Sequence, residues 1–414
     1  MTILPNSHET SLRRRPRANP LLLVLAVLLL AAPAAFATNQ VVTDPGDNGG
    51  LNQLRAKLAA LQNTGGGTLT FNMGAATVVL LQGTLPAITT NSTIDGGGNI
   101  TISGNNATRV LYISGGGTLR LRNITVSNGY SSGGDGGAIY NSGSLTVTAC
   151  KFINNQTSAS WSGGAIITYG PLNISNSEFG GNKGGGGGAV YPRWGNSVTT
   201  ITGCNFHDNE AINGSGAGYG GALLLWDGPS VTISNSTFSN NKARGGGGAI
   251  FVLANSTLNV SKTTLSGNGV PFQYNGGGIY NLGNTTLTNV ILEANSATGG
   301  GGIYNAGTVT LSDVTVSGNA GSFGCGIFSS NGAATLTNTT LSGNFVGYRV
   351  GTRGGGMYVD LGRTMLTNVT LSGNDAESGG GIYLSGAVAE LTNVTLSGNT
   401  SGIAYIVMAW GRSH

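Results

Sequence analysis

Apolar and polar side chains alternate in short runs along most of the chain, and many runs end in Ser-Gly-Asn or a similar stop. In ten segments a large apolar residue lies three positions before the stop asparagine, which recurs about every 27 residues. Alternation with a period of two is typical of β-strands, and no helical period runs through these segments. The pattern predicts three short strands per repeat. The stop asparagines are Asn155, Asn182, Asn209, Asn241, Asn268, Asn295, Asn319, Asn344, Asn374 and Asn399.

A repeat of this length cannot enclose a hydrophobic core alone, but it can stack on the next copy. Each strand would then pair in parallel with its equivalent, about 4.8 Å away. A β-propeller is the alternative, but its blades need about 40 residues and four antiparallel strands. The sequence therefore predicts an all-β, single-stranded parallel β-helix of about 11 to 12 coils.

A second asparagine column lies six positions before the stop, between the second and third strands. A two-residue bend there needs a φ > 0 or a bridging conformation, which asparagine tolerates, and stacked amides can hydrogen-bond along the column. The 74 glycines would serve the sharper turn before the first strand. A structural role is therefore the favoured interpretation for these residues. The column contains Asn176, Asn235, Asn289, Asn338, Asn368 and Asn393, with Asp313 in register.

The N-terminus has the layout of a secretory signal peptide. Four arginines between positions 13 and 17 precede the apolar run Leu21 to Leu30, and Ala35-Phe36-Ala37 supplies a small-x-small cleavage site. An uncleaved anchor is the alternative, although the run is short for a membrane span. We expect a signal peptide at 1–37, an N-terminal cap with first strands at 38–100, and β-helix repeats at 101–414.

Charge changes the picture once the signal is set aside. Residues 1–37 carry four arginines and one glutamate, a net +3 of the chain's +4, so about +1 remains. No basic surface is left that would suggest nucleic acid. The sequence predicts an exported protein, extracellular or on the outer cell surface, with no integral membrane domain after signal removal.

The repeats resemble those of a known family. GGAI at Gly136 to Ile139 and again at Gly163 and Gly247, combined with F-x-x-N at Phe152 to Asn155 and three later copies, resembles the repeats of chlamydial-type polymorphic outer membrane proteins. More broadly, residues 100 to 400 are similar to bacterial secreted right-handed parallel β-helix proteins. This resemblance implies a right-handed coil.

The stretch from Leu51 to Phe71 resembles the short helix and first strand that begin many such proteins. Leu51, Leu54, Leu58 and Leu61 have helical spacing, so this helix is expected to cover the open end of the solenoid.

The three cysteines are predicted to be unpaired. Cys150 and Cys204 each lie five residues before a stop asparagine, in one inward column two coils apart. That separation, about 9.6 Å, is too long for a disulfide. Cys325 lies in a glycine turn of a distant coil.

One patch departs from the regular pattern. Just beyond the first strand, three consecutive coils present Tyr169, then Arg193 and Trp194, then Trp226 and Asp227, and the insert EAINGSGAGYGG (210–221) lengthens a nearby loop. Aromatic faces with an ion pair suit a sugar chain. These five residues are the predicted carbohydrate-binding site; irregular loop packing is the alternative.

An aromatic column also follows the inward aliphatic residue of the first strand, and strand alternation points it outward. Stacking for stability is favoured over a binding face. The column contains Tyr140, Tyr191, Phe251, Tyr280, Tyr304, Phe328, Tyr358 and Tyr383.

Catalysis is disfavoured by the acid content, since only 14 acids remain after position 37 and most stand singly. His207-Asp208 resembles a catalytic pair but falls inside a repeat turn. The spacing of residues predicts no catalytic residue, metal site or cofactor, and the glycine runs precede strands instead of phosphate-binding helices.

Three functions remain open: glycan binding or adhesion at a surface, a polysaccharide lyase or glycoside hydrolase of pectate-lyase-like fold, and a purely structural surface-layer protein. An enzyme should place at least two carboxylates, or an acid with Arg or Lys, within about 5 to 9 Å of each other in a groove beside Trp226. A structural protein should bind no ligand and associate end to end.

Overall fold

The alternating segments stack as a parallel β-helix in the computed structural model of the chain. The structure describes residues 37–403 apart from 75–76, 196, 213–217, 272 and 348–350. The solenoid has about 13 turns, slightly more than the 11 to 12 expected, because coiling already begins at Gln40–Val42. The signal peptide predicted for 1–37 lies outside the described residues except for Ala37.

The first strands of successive coils form one parallel sheet on their own. Its members pair without register shifts, so that Ile139, Ile166 and Val190 lie directly above one another. The strands are Leu111–Ile113, Ile139–Asn141, Ile166–Thr168, Val190–Pro192, Leu223–Leu225, Ile250–Val252, Ile279–Asn281, Ile303–Asn305, Ile327–Ser330, Met357–Asp360 and Ile382–Ser385.

The second and third strands belong to a larger parallel sheet with the N-terminal strands Gln40–Val42, Gly66–Phe71 and Thr77–Leu80. In four coils the two strands are continuous: Asn91–Ser103, Thr118–Ser127, Thr257–Ser266 and Asn284–Glu293. Elsewhere the second strands are Ser144–Thr148, Leu172–Ser175, Val198–Thr202, Ser230–Ser234, Thr308–Ser312, Ala333–Thr337, Arg363–Thr367 and Val388–Thr392. The third strands are Lys151–Ile153, Glu178–Gly180, Asn205–His207, Thr237–Ser239, Thr315–Ser317, Thr340–Ser342, Thr370–Ser372 and Thr395–Ser397.

Short strands after the stop asparagine complete the coils. They pair in parallel like the others but are mostly two residues long. They are Tyr130–Ser131, Gln156–Thr157, Lys183–Gly184, Glu210–Ala211, Lys242–Ala243, Ala320–Gly321, Phe345–Val346, Asp375–Ser378 and Thr400–Ile403.

The apolar positions before the stop asparagines form an internal file, as the repeat predicts. Phe152, Phe179, Phe206 and Phe238 have no solvent exposure. Their ring centroids are 4.8, 4.6 and 4.7 Å apart, and neighbouring rings are parallel within 5°. Because strand spacing sets this distance, every coil delivers its ring to a fixed place in the core.

The stop asparagines themselves form a buried ladder. From Asn155 to Asn399, each side-chain Nδ2 donates to the Oδ1 of the asparagine in the next coil, over 2.8 to 3.0 Å. The same Oδ1 also accepts the backbone N–H of the preceding asparagine, as Asn209 Oδ1 does from Asn182 at 3.0 Å. A second Nδ2 bond reaches a backbone carbonyl of the preceding coil. The ladder therefore satisfies a column of polar groups that water does not reach.

The second asparagine column behaves as predicted. Asn176, Asn235 and Asn338 have φ values of 48°, 48° and 49°. Asn338 donates to Asp313 at 3.2 Å, and Asn368 donates to Asn338 at 3.2 Å. These amides are exposed, unlike those of the ladder.

The N-terminal helix is Leu54–Asn63, and Leu54, Leu58 and Leu61 are fully buried against the main core. The expected role of Leu51 is wrong, because Leu51 precedes the helix and is 84% exposed. Its place at the start of the helix is taken by Gln53, whose side-chain Oε1 accepts the N–H groups of Asn48, Gly49 and Gly50.

Cys150, Cys204 and Cys325 are free and buried, as predicted. Burial raises the pKa of the Cys150 thiol to about 11 and that of Cys325 to about 12, so both stay protonated at neutral pH. In the described part of the chain, no helix has the length and apolar character needed to cross a bilayer.

Candidate functional site

Three neighbouring coils bring the five predicted residues together. Tyr169, Arg193 and Trp226 each follow directly on a first strand, and those strands pair in register. Arg193 and Trp226 themselves form an isolated parallel bridge, and the Trp194 N–H donates to the Trp226 carbonyl at 3.2 Å. Tyr169, Arg193, Trp194, Trp226 and Asp227 are called the aromatic patch below.

The rings of the patch differ in what they offer a ligand. Trp194 is 54% exposed and meets Tyr169 edge to face, with ring centroids 4.8 Å apart. Trp226 is half-buried, since it packs against an apolar cluster that includes Tyr191 and Leu224. Trp194 is therefore the ring whose face is most open to solvent, whereas Trp226 mainly supports the wall beneath it.

The backbone holds two patch residues in an unusual conformation. Trp194 has φ = 72° and Asp227 has φ = 64°, both in the left-handed region. For a residue as bulky as tryptophan this conformation is a genuine outlier, with a cost of about 1–3 kcal/mol. The loop thus holds the indole outward at a cost that the surrounding contacts must offset.

The two charged residues of the patch form a long, partly exposed ion pair. Arg193 Nε lies 3.4 Å from Asp227 Oδ2, and the two side chains are 33% and 41% exposed. The Arg193 guanidinium lies 5.9 Å from the centre of the Tyr191 ring, and its interactions with Tyr191 and Tyr169 raise the pKa of Arg193 despite partial burial. Burial raises the pKa of Tyr169 to about 12, and its hydrogen bond to Tyr140 adds to this, so the phenol stays protonated.

Sequence reasoning missed Asp135, whose carboxyl interacts electrostatically with Arg193 of the patch. Asp135 precedes the GGAI turn and is 9% exposed; its Oδ1 accepts the Ser162 N–H at 2.6 Å. Burial raises the pKa of Asp135, although the charges of Arg193 and Arg109 oppose the shift. Trp161, beside Ser162, is 39% exposed. The available signal was an acid in the glycine-rich segment GGDGG, which Asp135 shares with other acids such as Asp95 in DGGGN.

Arg109 belongs to the same surroundings. Its Nε donates to the Gly136 carbonyl at 2.9 Å and its Nη2 to the Asp135 carbonyl at 2.8 Å. The guanidinium lies 5.3 Å from the centre of the Tyr140 ring. All its partners are neutral oxygens or the π face of a ring.

The outward aromatic column stacks, as the favoured interpretation predicted. Tyr112 and Tyr140 stack with centroids 5.3 Å apart, and Phe328 and Tyr358 do so at 4.7 Å with planes 4° apart. The neighbouring coils thus cover the ring faces, and edges and hydroxyls remain for a ligand.

Other candidate chemistry lies elsewhere or is incomplete. His207 Nδ1 lies 2.8 Å from Asp208 and Nε2 lies 3.2 Å from Glu178, which also pairs with Lys151. Among the described residues, no group of three His, Cys, Asp or Glu side chains could hold a metal ion. Three surface cavities are lined by residues outside the patch; the one of about 240 Å³ is lined by Val270, Ser296 and small side chains of later coils.

A match to a protein family agrees with this architecture. The sequence matches the family described as "Right handed beta helix region" over residues 92–262 and 221–401. Among solved structures, the A-module of mannuronan C-5 epimerase AlgE6 from Azotobacter vinelandii is similar, with 13% identity and a TM-score of 0.34 over 90% of this chain and 97% of that one. The curated proteins contain no match. The matched segments span most of the chain, which belongs to the right-handed β-helix family.

Proposed function

We propose that this protein is exported and binds glycans outside the cell or on its outer surface, through the aromatic patch. The signal-like N-terminus supports export, and the GGAI and F-x-x-N repeats support an adhesin-like role on a bacterial surface. The resemblance to polymorphic outer membrane protein repeats supports the same location.

The observation that carries the binding proposal is the exposed face of Trp194, held at φ = 72° in the loop between the first and second strands of its coil. Indole faces stack on the C–H surfaces of pyranose rings, and hydroxyl and guanidinium groups beside them can bond to sugar oxygens. Tyr169 and Arg193 supply those groups within one coil spacing of the indole.

A polysaccharide-active enzyme is the second candidate, and one observation favours it. Arg193 and Asp227 form an ion pair beside Trp226, and the charge of Arg193 acts on the pKa of the buried carboxyl of Asp135. A carboxyl with a raised pKa is a candidate general acid. The acid–arginine criterion for an enzyme is therefore met in part.

A glycan array probed with residues 38–414 tests the binding proposal. We expect Trp194→Ala to abolish the glycan signals and Trp226→Ala to weaken them. Phe345→Ala is the matched control, since Phe345 is 47% exposed on a distant coil. Unchanged signals in Trp194→Ala would place any site elsewhere. Reducing-sugar and unsaturated-product assays on the bound glycans separate a binder from an enzyme.

A further inference from the structure

We propose that the outward face of the second strands binds crystalline ice. This inference goes beyond the proposed glycan binding and concerns a different sheet of the solenoid. In eight consecutive coils, the last two outward positions of each second strand form two adjacent columns of polar, uncharged side chains, called the hydroxyl face below. It contains Thr146, Thr148, Asn173, Ser175, Thr200, Thr202, Thr232, Ser234, Asn259, Ser261, Thr286, Thr288, Thr310, Ser312, Thr335 and Thr337.

The hydroxyl face is regular in both directions. Fourteen of its sixteen side chains carry a hydroxyl, and its strands pair in parallel without register shifts. Equivalent side chains therefore repeat at the coil spacing, which the inner rings from Phe152 to Phe238 give as 4.6 to 4.8 Å. Those rings are parallel within 5°, so these four coils hardly rotate against one another and their part of the face is flat. Along each strand, the two columns are about 6.6 Å apart.

The hydroxyl face carries no charge, although charged residues surround it. Arg120 and Arg363 occupy outward positions of the second strands in the coils directly before and after it. The third strands of the same coils carry Lys151, Glu178 and Glu293. Strand propensity acts on both sets of strands, so it does not explain why charge is missing from one of them. The charged residues of the bend column beside the face are Lys262 and Asp313.

An uncharged hydroxyl array selects among the possible occupants. It offers no charges to pair with the ions of a mineral, and no ring faces on which a sugar chain stacks. Ice is uncharged and presents water molecules at fixed positions. On the prism faces of hexagonal ice, the oxygens repeat at nearly the coil spacing in one direction and at slightly more than two residues of strand in the other. Ordered water between the two surfaces can take up the difference.

Preorganisation supplies the preference for ice over liquid water. A single hydroxyl gains little from ice, because liquid water offers it the same hydrogen bonds. Many hydroxyls gain together only when they are already held at the spacing of the lattice. Threonine is stiff at χ1, and hydroxyls of neighbouring coils also hold each other. Ser175 donates to Thr148 at 3.2 Å, and the hydroxyls of Thr202 and Ser234 lie 3.0 Å apart.

The test grows a single ice crystal in a solution of the purified protein in a nanolitre osmometer. We expect a faceted crystal and a gap between its melting and freezing temperatures. Fluorescently labelled protein should stay on the crystal after washing, whereas labelled serum albumin should be rejected by it. A round crystal with no temperature gap, from which the protein is excluded as albumin is, would overturn the inference.

Two matched variants assign the activity to one face. Thr232→Lys places a long, charged side chain in the middle of the hydroxyl face and should remove most of the temperature gap and of the fluorescence on ice. Thr237→Lys makes the same change at an exposed position on the third strand of the same coil and should keep both. The fold accepts a long side chain here, because Arg120 occupies the column of Thr232 in an earlier coil. Circular dichroism checks that both variants fold.

The remaining outcomes decide against the inference. Equal ice activity in the two variants would show that the second strands are not the binding face. A dimer in analytical ultracentrifugation that Thr232→Lys dissociates, without any activity on ice, would assign the face to contact between two copies of the chain. Either result would leave the glycan proposal intact, because the aromatic patch follows the first strands.

Discussion

Two aromatic files run along this solenoid, one inside and one outside, and they obey the repeat to different degrees. Inside, from Phe152 to Phe238, the rings are parallel within 5° and fully buried. Outside, a run of rings leaves the outward aromatic column at Tyr140. From Tyr112 through Tyr140 and Tyr169 to Trp194, the angle between neighbouring planes grows from 20° to 36° and then 64°. In both files the distance between neighbouring ring centroids is close to the strand spacing, but only the outer file ends in an exposed ring.

The difference shows at which positions the repeat constrains the side chain and at which positions it does not. An inward ring must fit between the rings above and below, so any coil that departs from the pattern disturbs the packing of its neighbours. An outward ring at a strand end is limited only by its loop, and loop length varies between coils. Irregular chemistry is therefore expected on the outer file, and the aromatic patch lies at its end.

The largest expected effect comes from breaking the inner file. Phe206→Ala leaves a void between Phe179 and Phe238, which stack on it at 4.6 and 4.7 Å. We expect the free energy of unfolding to fall by about 3–5 kcal/mol, measured by urea denaturation followed by circular dichroism. Glycan binding by the remaining folded protein should persist, because Phe206 lies inside the solenoid on a third strand, whereas the patch lies outside it, after the first strands.

Phe206→Leu is the matched control. Leucine already fills the equivalent position in later coils, at Leu265 and Leu292, both fully buried. The loss should be roughly 1.5 kcal/mol or less, because leucine keeps most of the buried volume. Equal losses in the two variants would mean that ring stacking and cavity size do not control this file.

The asparagine ladder should give the next largest effect. Asn344→Ala removes the side-chain partner of the Asn319 N–H, the Asn319 Nδ2 and the Val316 carbonyl, and it takes one of two donors from the Oδ1 of Asn374. Buried groups without partners are costly, so unfolding should become easier by roughly 2–4 kcal/mol in the same urea experiment.

Asn338→Ala in the same coil separates burial from residue type. Asn338 lies in the exposed bend column at φ = 49°, where Ala149 already occupies the equivalent position of an earlier coil at φ = 52°. We expect a loss of about 1 kcal/mol or less, from left-handed strain and a surface hydrogen bond. A loss as large as that of Asn344→Ala would contradict a special role for the buried ladder.

Much of the fold followed from the sequence because columns of like residues report directly on stacking. Phe152 and its equivalents predicted the inner file, Asn176 and its equivalents predicted the bends, and Cys150 with Cys204 predicted separated thiols. The buried ladder could not be recognised from the sequence, because an asparagine at the end of a strand is equally typical of an exposed turn. Its presence in all ten repeats, against the exceptions in the bend column, was the available signal.

The candidate site could be predicted only on one side. Tyr169, Arg193 and Trp226 share a position after the first strand, so the repeat places them together. Asp135 and Trp161 lie in turns before a first strand, and their positions depend on the path of glycine-rich loops. Glycine permits too many backbone conformations for sequence alone to fix that path.

The smallest expected effect is electrostatic and involves the partly exposed side chain of His207, which follows Phe206 in a third strand. Burial lowers the pKa of His207, but hydrogen bonds to Asp208 and Glu178 outweigh it and raise the pKa above its ordinary value. A raised folded-state pKa contributes stability below the unfolded pKa of about 6.5, and this contribution is lost as pH rises through the folded value. Because the ring is near solvent, we expect a loss of roughly 0.5 kcal/mol or less between pH 6 and 8. His207→Gln should flatten this part of the urea-stability profile, and an unchanged slope would assign the pH dependence to other groups.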